Sequence, residues 1–294
     1  MKIVILGTAH PYRGGLAAMN ERLAQELSGQ GHEVVIYNFT LQYPGFLFPG
    51  KSQYTDEAAP QGLKIIRKIN SVCPFNWLKV GRELRKMRPD LLIIKFWLPF
   101  MGPALGTIAR LARKNHHTRV ICIADNMIPH EKRPGDRLFT KYFTKGVDGY
   151  IAMSHEVYAD VEKLVAHPLR RFTPHPIYDH YGEIIPREEA LKALKLDAAY
   201  RYLLFFGFIR DYKGLDWLLQ AMADSRLKDI RLIIAGEFYS DSEPYLRLIR
   251  ELGLEEKVIL HTDYIPNEQI NRYFCAADLV VQPYKTATQS GVTQ

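Results

Sequence analysis

At 294 residues the chain is long enough for two domains of ordinary size, and 47% hydrophobic with 24% charged residues is the balance of a soluble globular protein, which excludes a largely disordered, collagen-like or disulfide-dense chain. The formal net charge of +7 is unevenly spread: residues 1–180 carry 25 Lys/Arg against 15 Asp/Glu (+10), residues 181–294 carry 14 against 17 (−3). The first part therefore favours an anionic partner. The longest uncharged apolar stretch, FWLPFMGPALGTIA at 96–109, has 14 residues broken by two prolines and two glycines, short of the roughly 18 that a spanning helix needs. Cys73, Cys122 and Cys275 form no C-x-x-C pair, which suits a reducing cytosol and offers neither a metal nor a redox site.

MKIVILGTAH has one short apolar burst and no small-residue cleavage site, so 2–6 reads as a buried strand and not a signal peptide. A glycine-containing loop leads into a helix over 16–28, where Leu16, Met19, Leu23 and Leu27 recur at three- and four-residue spacing. Strands follow at 31–39 and 63–66, a helix at 76–87, a strand at 90–95 and a helix at 104–114. Strands at 120–125 and 149–154 flank a helix at 135–145, and 157–164 is helical. Prolines at 168, 174, 176 and 186 read as a linker.

The second part repeats the alternation, with strands at 201–209, 231–237, 258–262 and 278–284 and helices at 214–223, 244–252 and 267–275. Strands rich in Ile, Val and Leu on both faces, separated by helices, make parallel βαβ units. The expected fold is α/β: two doubly wound, Rossmann-like domains, 1–180 and 181–294, facing across a cleft. Ligands of such sheets bind beyond the carboxyl ends of the strands, so the cleft is the expected active site. The second domain has four strands where five or six are usual, and the chain ends soon after the last of them; the expectation is a truncated chain or a fragment.

The densest basic run is 64–88, KIIRKINSVCPFNWLKVGRELRKMR, in which Glu83 is the sole acid and Phe75 and Trp77 sit in the middle. It is either a solvated helix face or a peripheral contact with anionic lipid headgroups, on the inner face of a membrane. Nucleic acid is not expected, since no binding motif accompanies the charge.

Arg210 and Lys213 lie in RDYKG, between a strand and a helix starting near Gly214. A diphosphate needs cations and backbone donors, which such a loop and a helix N-terminus supply together. Gly14 and Gly15, between the first strand and helix, let a phosphate or sugar approach the backbone, or simply make a tight turn. They are not part of a G-x-G-x-x-G fingerprint, so a nicotinamide site loses its support. Ser154 reads as a helix N-cap that can also touch a ligand. There is no D-x-D, and Asp241-Ser242-Glu243 is a poor substitute, so no metal is expected.

GTAHPYRGGLAAMNERLAQELSGQGHEVVIY, IAMSHEVYADV, FFGFIRDYKGLDWLLQAM, LIIAGE and VILHTDYIPNEQINRYFCAADLVVQPY, in this order, resemble the family-four glycosyltransferases of GT-B architecture. The resemblance covers nearly the whole chain. It implies a retaining enzyme that moves a sugar from a nucleotide diphosphate sugar to a glycan or lipid-linked acceptor, without a cofactor. By position it places Arg210, Lys213, Gly14, Gly15 and Glu237 on the donor. Asp125 stands where the family commonly has a histidine near the reacting sugar; Asp125 and His130 are the implied catalytic residues, with Asn126 beside them. Two departures stand out. The family's G-R-L-x-x-x-K-G has Phe208 after Gly207 here, with the arginine at 210. The paired glutamates near the end fall on Thr288 and on a position past Gln294; Thr288 supplies no carboxylate, though it is kept as a donor contact. The alternatives are a non-catalytic nucleotide-sugar-binding or scaffolding relative and, more remotely, a twin-Rossmann epimerase or phosphorylase.

Overall fold

The N-terminal apolar burst becomes the middle of a sheet. β1 (Lys2–Leu6) is flanked in parallel by β2 (Glu33–Leu41) and β4 (Leu91–Phe96), with Ile3 opposite both Val34 and Leu91. Successive side chains of a strand point to opposite faces, so Val4 and Leu6 enter one apolar cluster while Ile3 and Ile5 enter another. The computed structural model describes residues 1–45, 48, 52–129, 133–177, 181–286 and 292. It divides into two units, Met1–His175 and Pro176–Gln294.

In the first unit, α1 (Gly15–Gly29), β3 (Ile65–Asn70), α2 (Pro74–Met87), α3 (Gly102–Arg113), β5 (Arg119–Ala124), α4 (Asp136–Thr144), β6 (Gly149–Ala152), α5 (His155–Leu164) and β7 (Arg170–Phe172) complete the alternation. Seven parallel strands run in the order β3-β2-β1-β4-β5-β6-β7. The chain steps outward from β1 to β3 and then restarts at β4 on the other side, so the strand order reverses between β1 and β4. Ala24 of α1, with Met19, Leu23 and Leu27, covers one face. Val80 and Leu84 of α2, Leu105 and Ile108 of α3 and Phe143 of α4 cover the other, where Phe143 stacks on Phe96 at 4.2 Å. Each such side chain contributes roughly 1.5–3 kcal/mol on full burial.

The second unit comprises α6 (Arg187–Ala193), β8 (Arg201–Phe206), α7 (Leu215–Met222), β9 (Ile230–Ala235), α8 (Glu243–Glu251), β10 (Val258–His261), α9 (Asn267–Ala276) and β11 (Leu279–Val280). Its described strands form a parallel sheet in the order β10-β9-β8-β11, which reverses between β8 and β11. Leu232, Ile234 and Phe205 pack with α7 and α8 on one face; Tyr202, Leu204 and Ile233 pack with α6 and α9 on the other.

Several expected elements shift. The proline-rich run read as a linker contains β7, three residues that add an edge strand to β6, and is followed by α6, whose seven residues are too few to show a period. β8 stops at Phe206 instead of 209 because Gly207 turns the chain with φ 97°. β11 keeps two residues of the seven expected; Pro283 carries no N–H for a ladder. Among the described residues no helix is long and apolar enough to cross a membrane.

Candidate functional site

The carboxyl end of β8 delivers the RDYKG loop beside the point where the second unit's strand order reverses. After Gly207, Ile209 bridges to Phe238 beyond β9. Residues Asp211–Lys213 make one turn of 3-10 helix, and Gly214, with φ 71°, starts α7. The turn folds Lys213 inward: it is only 8% exposed. Its ammonium lies over Gly207, where a β-carbon would sit 3.0 Å from the nitrogen, and 5.6 Å from the ring centroid of Tyr284. A side chain at 207 would occupy the space of that ammonium.

The loop's carboxylates do not neutralise it. Asp211 and Asp216 both pair with Lys285, at 3.1 and 2.9 Å, and none of the ion pairs among described residues includes Lys213 or Arg210. Burial, and then the charge of Arg210, pull the Lys213 ammonium down from the ordinary 10.5 to about 8. Arg210 lies 5.3 Å from the Tyr239 ring, and Tyr239 stacks on Phe208 at 4.1 Å. The departure from the family spacing thus leaves both cations in one loop, with Phe208 serving as an aromatic support. Glu237 follows β9 and is buried, at 1% exposure, and its carbonyl accepts the Ile209 N–H at 2.9 Å.

In the first unit, Gly14 is the N-cap of α1 with φ 97° and supplies no side-chain cap, and Gly15 opens the helix in an exposed position. The Ala17 and Ala18 N–H groups bond the Gly14 carbonyl, so the helix start leaves those of Gly15 and Leu16 without a partner within the helix. Asp125 follows β5, its N–H bonded to the Phe96 carbonyl. It is 5% exposed, and Oδ1 lies 2.8 Å from Nζ of Lys95, itself 1% exposed and 2.8 Å from Sδ of Met19. Sequence reasoning missed Lys95; the signal was a lysine inside the apolar run LLIIKF. Asn126 is half-buried next to Asp125. Ser154 caps α5, Oγ accepting the Val157 N–H at 3.2 Å. His130 and Thr288 lie outside the described residues, as do Glu131 and 287–291. Among the described residues no three His, Cys, Asp or Glu side chains converge as metal ligands.

The basic run 64–88 is only partly a surface. Arg67 donates to the Phe39 and Thr40 carbonyls, and Lys68 binds Glu83. Trp77, expected near an interface, packs on the core and donates to the Asn70 carbonyl.

Two parallel α/β sheets of this kind are the fold class of the GT-B glycosyltransferases. The chain belongs to glycosyltransferase family 4: residues 13–174 match the model described as Glycosyltransferase Family 4, and residues 200–293 match that described as Glycosyl transferases group 1. A GDP-mannose:glycolipid 4-beta-D-mannosyltransferase of Xanthomonas campestris pv. campestris is 26% identical over 178 residues, covering 59% of this chain and 46% of that protein. The match thus spans less than half of the relative's length. Among solved structures, sucrose-phosphate synthase from Thermosynechococcus elongatus has a TM-score of 0.73 at 16% identity, over 99% of this chain and 77% of its own. WaaG, a glycosyltransferase involved in lipopolysaccharide biosynthesis, has 0.68 at 17%, over 100% and 77%. HepE of Anabaena, solved with UDP and glucose, has 0.67 at 15%, over 95% and 73%.

Proposed function

We propose that the protein is a retaining glycosyltransferase that moves a sugar from a nucleotide diphosphate sugar to a glycan or lipid-linked acceptor. The observation that carries this reading is Lys213: a cation nearly removed from water, facing Arg210, with no described carboxylate against it. Burying an unpaired charge is costly, and a diphosphate offsets that cost. In this reading Lys213 acts as a compact charge and Arg210 as a fork on the leaving diphosphate, with Gly207 leaving the room. Gly14, Gly15 and the start of α1 offer N–H groups to a phosphate or sugar. Positioning and charge carry the catalysis, and no metal or cofactor enters it. The second unit holds the donor and the basic first unit the acceptor. Asp125 orients the reacting sugar, with His130 and Thr288 as further contacts. The cytoplasm, at the inner face of a membrane, is the proposed location.

One observation favours a second reading, nucleotide-sugar binding without turnover: Lys95 already engages Asp125, which weakens that carboxylate as a partner for positive charge at the anomeric carbon. A panel of UDP-, GDP- and ADP-sugars, scored by thermal shift and by transfer, separates the two. Accepted donors raise the melting midpoint, and Lys213→Ala abolishes both that rise and transfer. Transfer from every accepted donor at the wild-type rate in Lys213→Ala would overturn the phosphate assignment; donor binding without transfer or hydrolysis selects the second reading.

A further inference from the structure

The strand order of the first sheet reverses between β1 and β4, and open α/β sheets take their ligands beyond the strand ends at such a point. The molecule there is polar and nearly dry: Thr8, Asn20, Asn38, Gln42, Lys95 and Asp125 are each at most 6% exposed. The first four secure the chain that leaves β1. Asn20 donates to the Thr8 carbonyl at 2.8 Å, Asn38 to the Ala9 and His10 carbonyls at 2.6 and 2.9 Å, and the Thr8 hydroxyl to Oε1 of Gln42 at 2.9 Å. Lys95 secures no loop. The polar contacts of its ammonium among the described residues are Oδ1 of Asp125 and Sδ of Met19, both at 2.8 Å.

The strands set this geometry. Lys95 stands opposite Ile123, and Phe96 opposite Ala124, across β4 and β5; the Asp125 N–H then bonds the Phe96 carbonyl at 2.9 Å. Strand residues two apart share a face, so Lys95 lies on the face of Ile93, where α1 packs, and Asp125, just past β5, meets it there. The lysine stem is confined as well. A β-carbon at Gly7 would stand 3.3 Å from the Lys95 β-carbon and 2.4 Å from Nδ2 of Asn20. A flexible four-carbon stem is thereby held in one place, and its ammonium fixes Oδ1.

Stability does not account for the pair. A buried ion pair holds a fold about as well as apolar side chains of the same volume, and every other residue of LLIIKF is apolar. We infer that Lys95 is a positioning residue, holding Asp125 so that its carboxylate accepts a hydrogen bond from one hydroxyl of the donor's sugar. Pairing with Lys95 takes Asp125 out of charge stabilisation at the anomeric carbon and leaves it hydroxyl recognition, for which a carboxylate has up to about four acceptor positions. A carboxylate paired with an ammonium accepts and does not donate, so the site selects a sugar with a hydroxyl there over the matching deoxy sugar. The inference rests on the donor reading above.

The test is titration calorimetry of the 294-residue chain with UDP-glucose, GDP-mannose and ADP-glucose, each against its own nucleoside diphosphate. A donor that binds tighter than its diphosphate is then taken to three variants. Lys95→Met and Asp125→Asn each lose the sugar's share of the affinity, roughly ten- to a hundredfold, while the diphosphate binds as before. Both melt lower than wild type, since each removes half of a buried ion pair. The double variant Lys95→Met/Asp125→Asn removes both charges; its melting midpoint returns towards wild type, and the sugar's share of the affinity does not. Among the monodeoxy forms of that donor's sugar, one binds the wild type as weakly as the parent donor binds Lys95→Met, and loses nothing further in that variant. Return of sugar affinity together with stability in the double variant, an unchanged sugar share in Lys95→Met, or additive losses for every deoxy form overturns the inference. Donors that all bind no tighter than their diphosphates overturn it too and leave the phosphate assignment standing, whereas binding of neither donors nor diphosphates defeats the donor reading and this inference with it.

Discussion

Lys213 is the residue whose chemistry departs most from its ordinary behaviour. Its ammonium titrates near pH 8 in the free protein, because burial and the charge of Arg210 disfavour the proton, while the unfolded chain keeps the ordinary value of 10.5. Between these values the unfolded state binds more protons, so this group's cost to folding is full below about pH 8 and fades as pH rises towards 10.5. A bound diphosphate reverses the preference by stabilising the protonated form. Donor affinity is therefore level below about pH 8 and declines above it, by up to tenfold per unit. Titration calorimetry with UDP from pH 6.5 to 9.5 (roughly 1.4 kcal/mol per unit at most) checks this. A flat profile across that range, or one that climbs, contradicts the role given to Lys213. The lysine itself stood out in the sequence, in the loop RDYKG. Its burial did not, because that depends on Gly207 and Tyr284, residues that reach it only through the fold.

At the scale of elements, the α2–α3 contact shows how one residue sets a helix pair. A β-carbon at Gly81 would lie 2.7 Å from the Leu111 β-carbon and 3.3 Å from the Ile108 α-carbon, so the two helices meet at their closest where no side chain intervenes. Gly81→Ala gains up to ~1 kcal/mol of helix propensity but forces the helices apart, at roughly 1–3 kcal/mol. A net loss of stability in urea is expected. Stability equal to or above wild type would show that the pair adjusts freely. The periodicity of α1 was legible, as were β1, β4, β5, β8 and β9, whose apolar runs are long and flanked by glycine or charge. β7 and α6 were not: three residues and seven carry too little pattern, and the prolines around them point to a linker.

For the whole molecule, the division at His175 and Pro176 gives each unit a sheet covered on both faces by its own helices. Burial of apolar surface is then satisfied within each unit. Residues 1–175 expressed alone are expected to unfold cooperatively without a UDP effect, because the diphosphate cations Arg210 and Lys213 lie in the other unit, while 176–294 keeps the UDP-dependent rise in melting midpoint. UDP stabilising the first fragment in place of the second would relocate the donor site.

Alternating apolar strands and amphipathic helices, the basic first part, the RDYKG loop and the glycine pair were all determined by the sequence, since propensity, periodicity and charge are local properties. Which charges are spent and which remain available was decided only by tertiary structure. Lys68 and Trp77, in a run read as surface, are half-buried, and Arg67, though exposed, spends its guanidinium on the Phe39 and Thr40 carbonyls; Lys95, hidden in a strand, met Asp125 from the neighbouring strand. Arg82, Arg85, Lys86, Arg88 and Lys114 stayed without acidic partners among the described residues. Ion pairing requires proximity across the sheet and between helix ends, and residues that are distant along the chain acquire it only when strand order and helix packing bring them together.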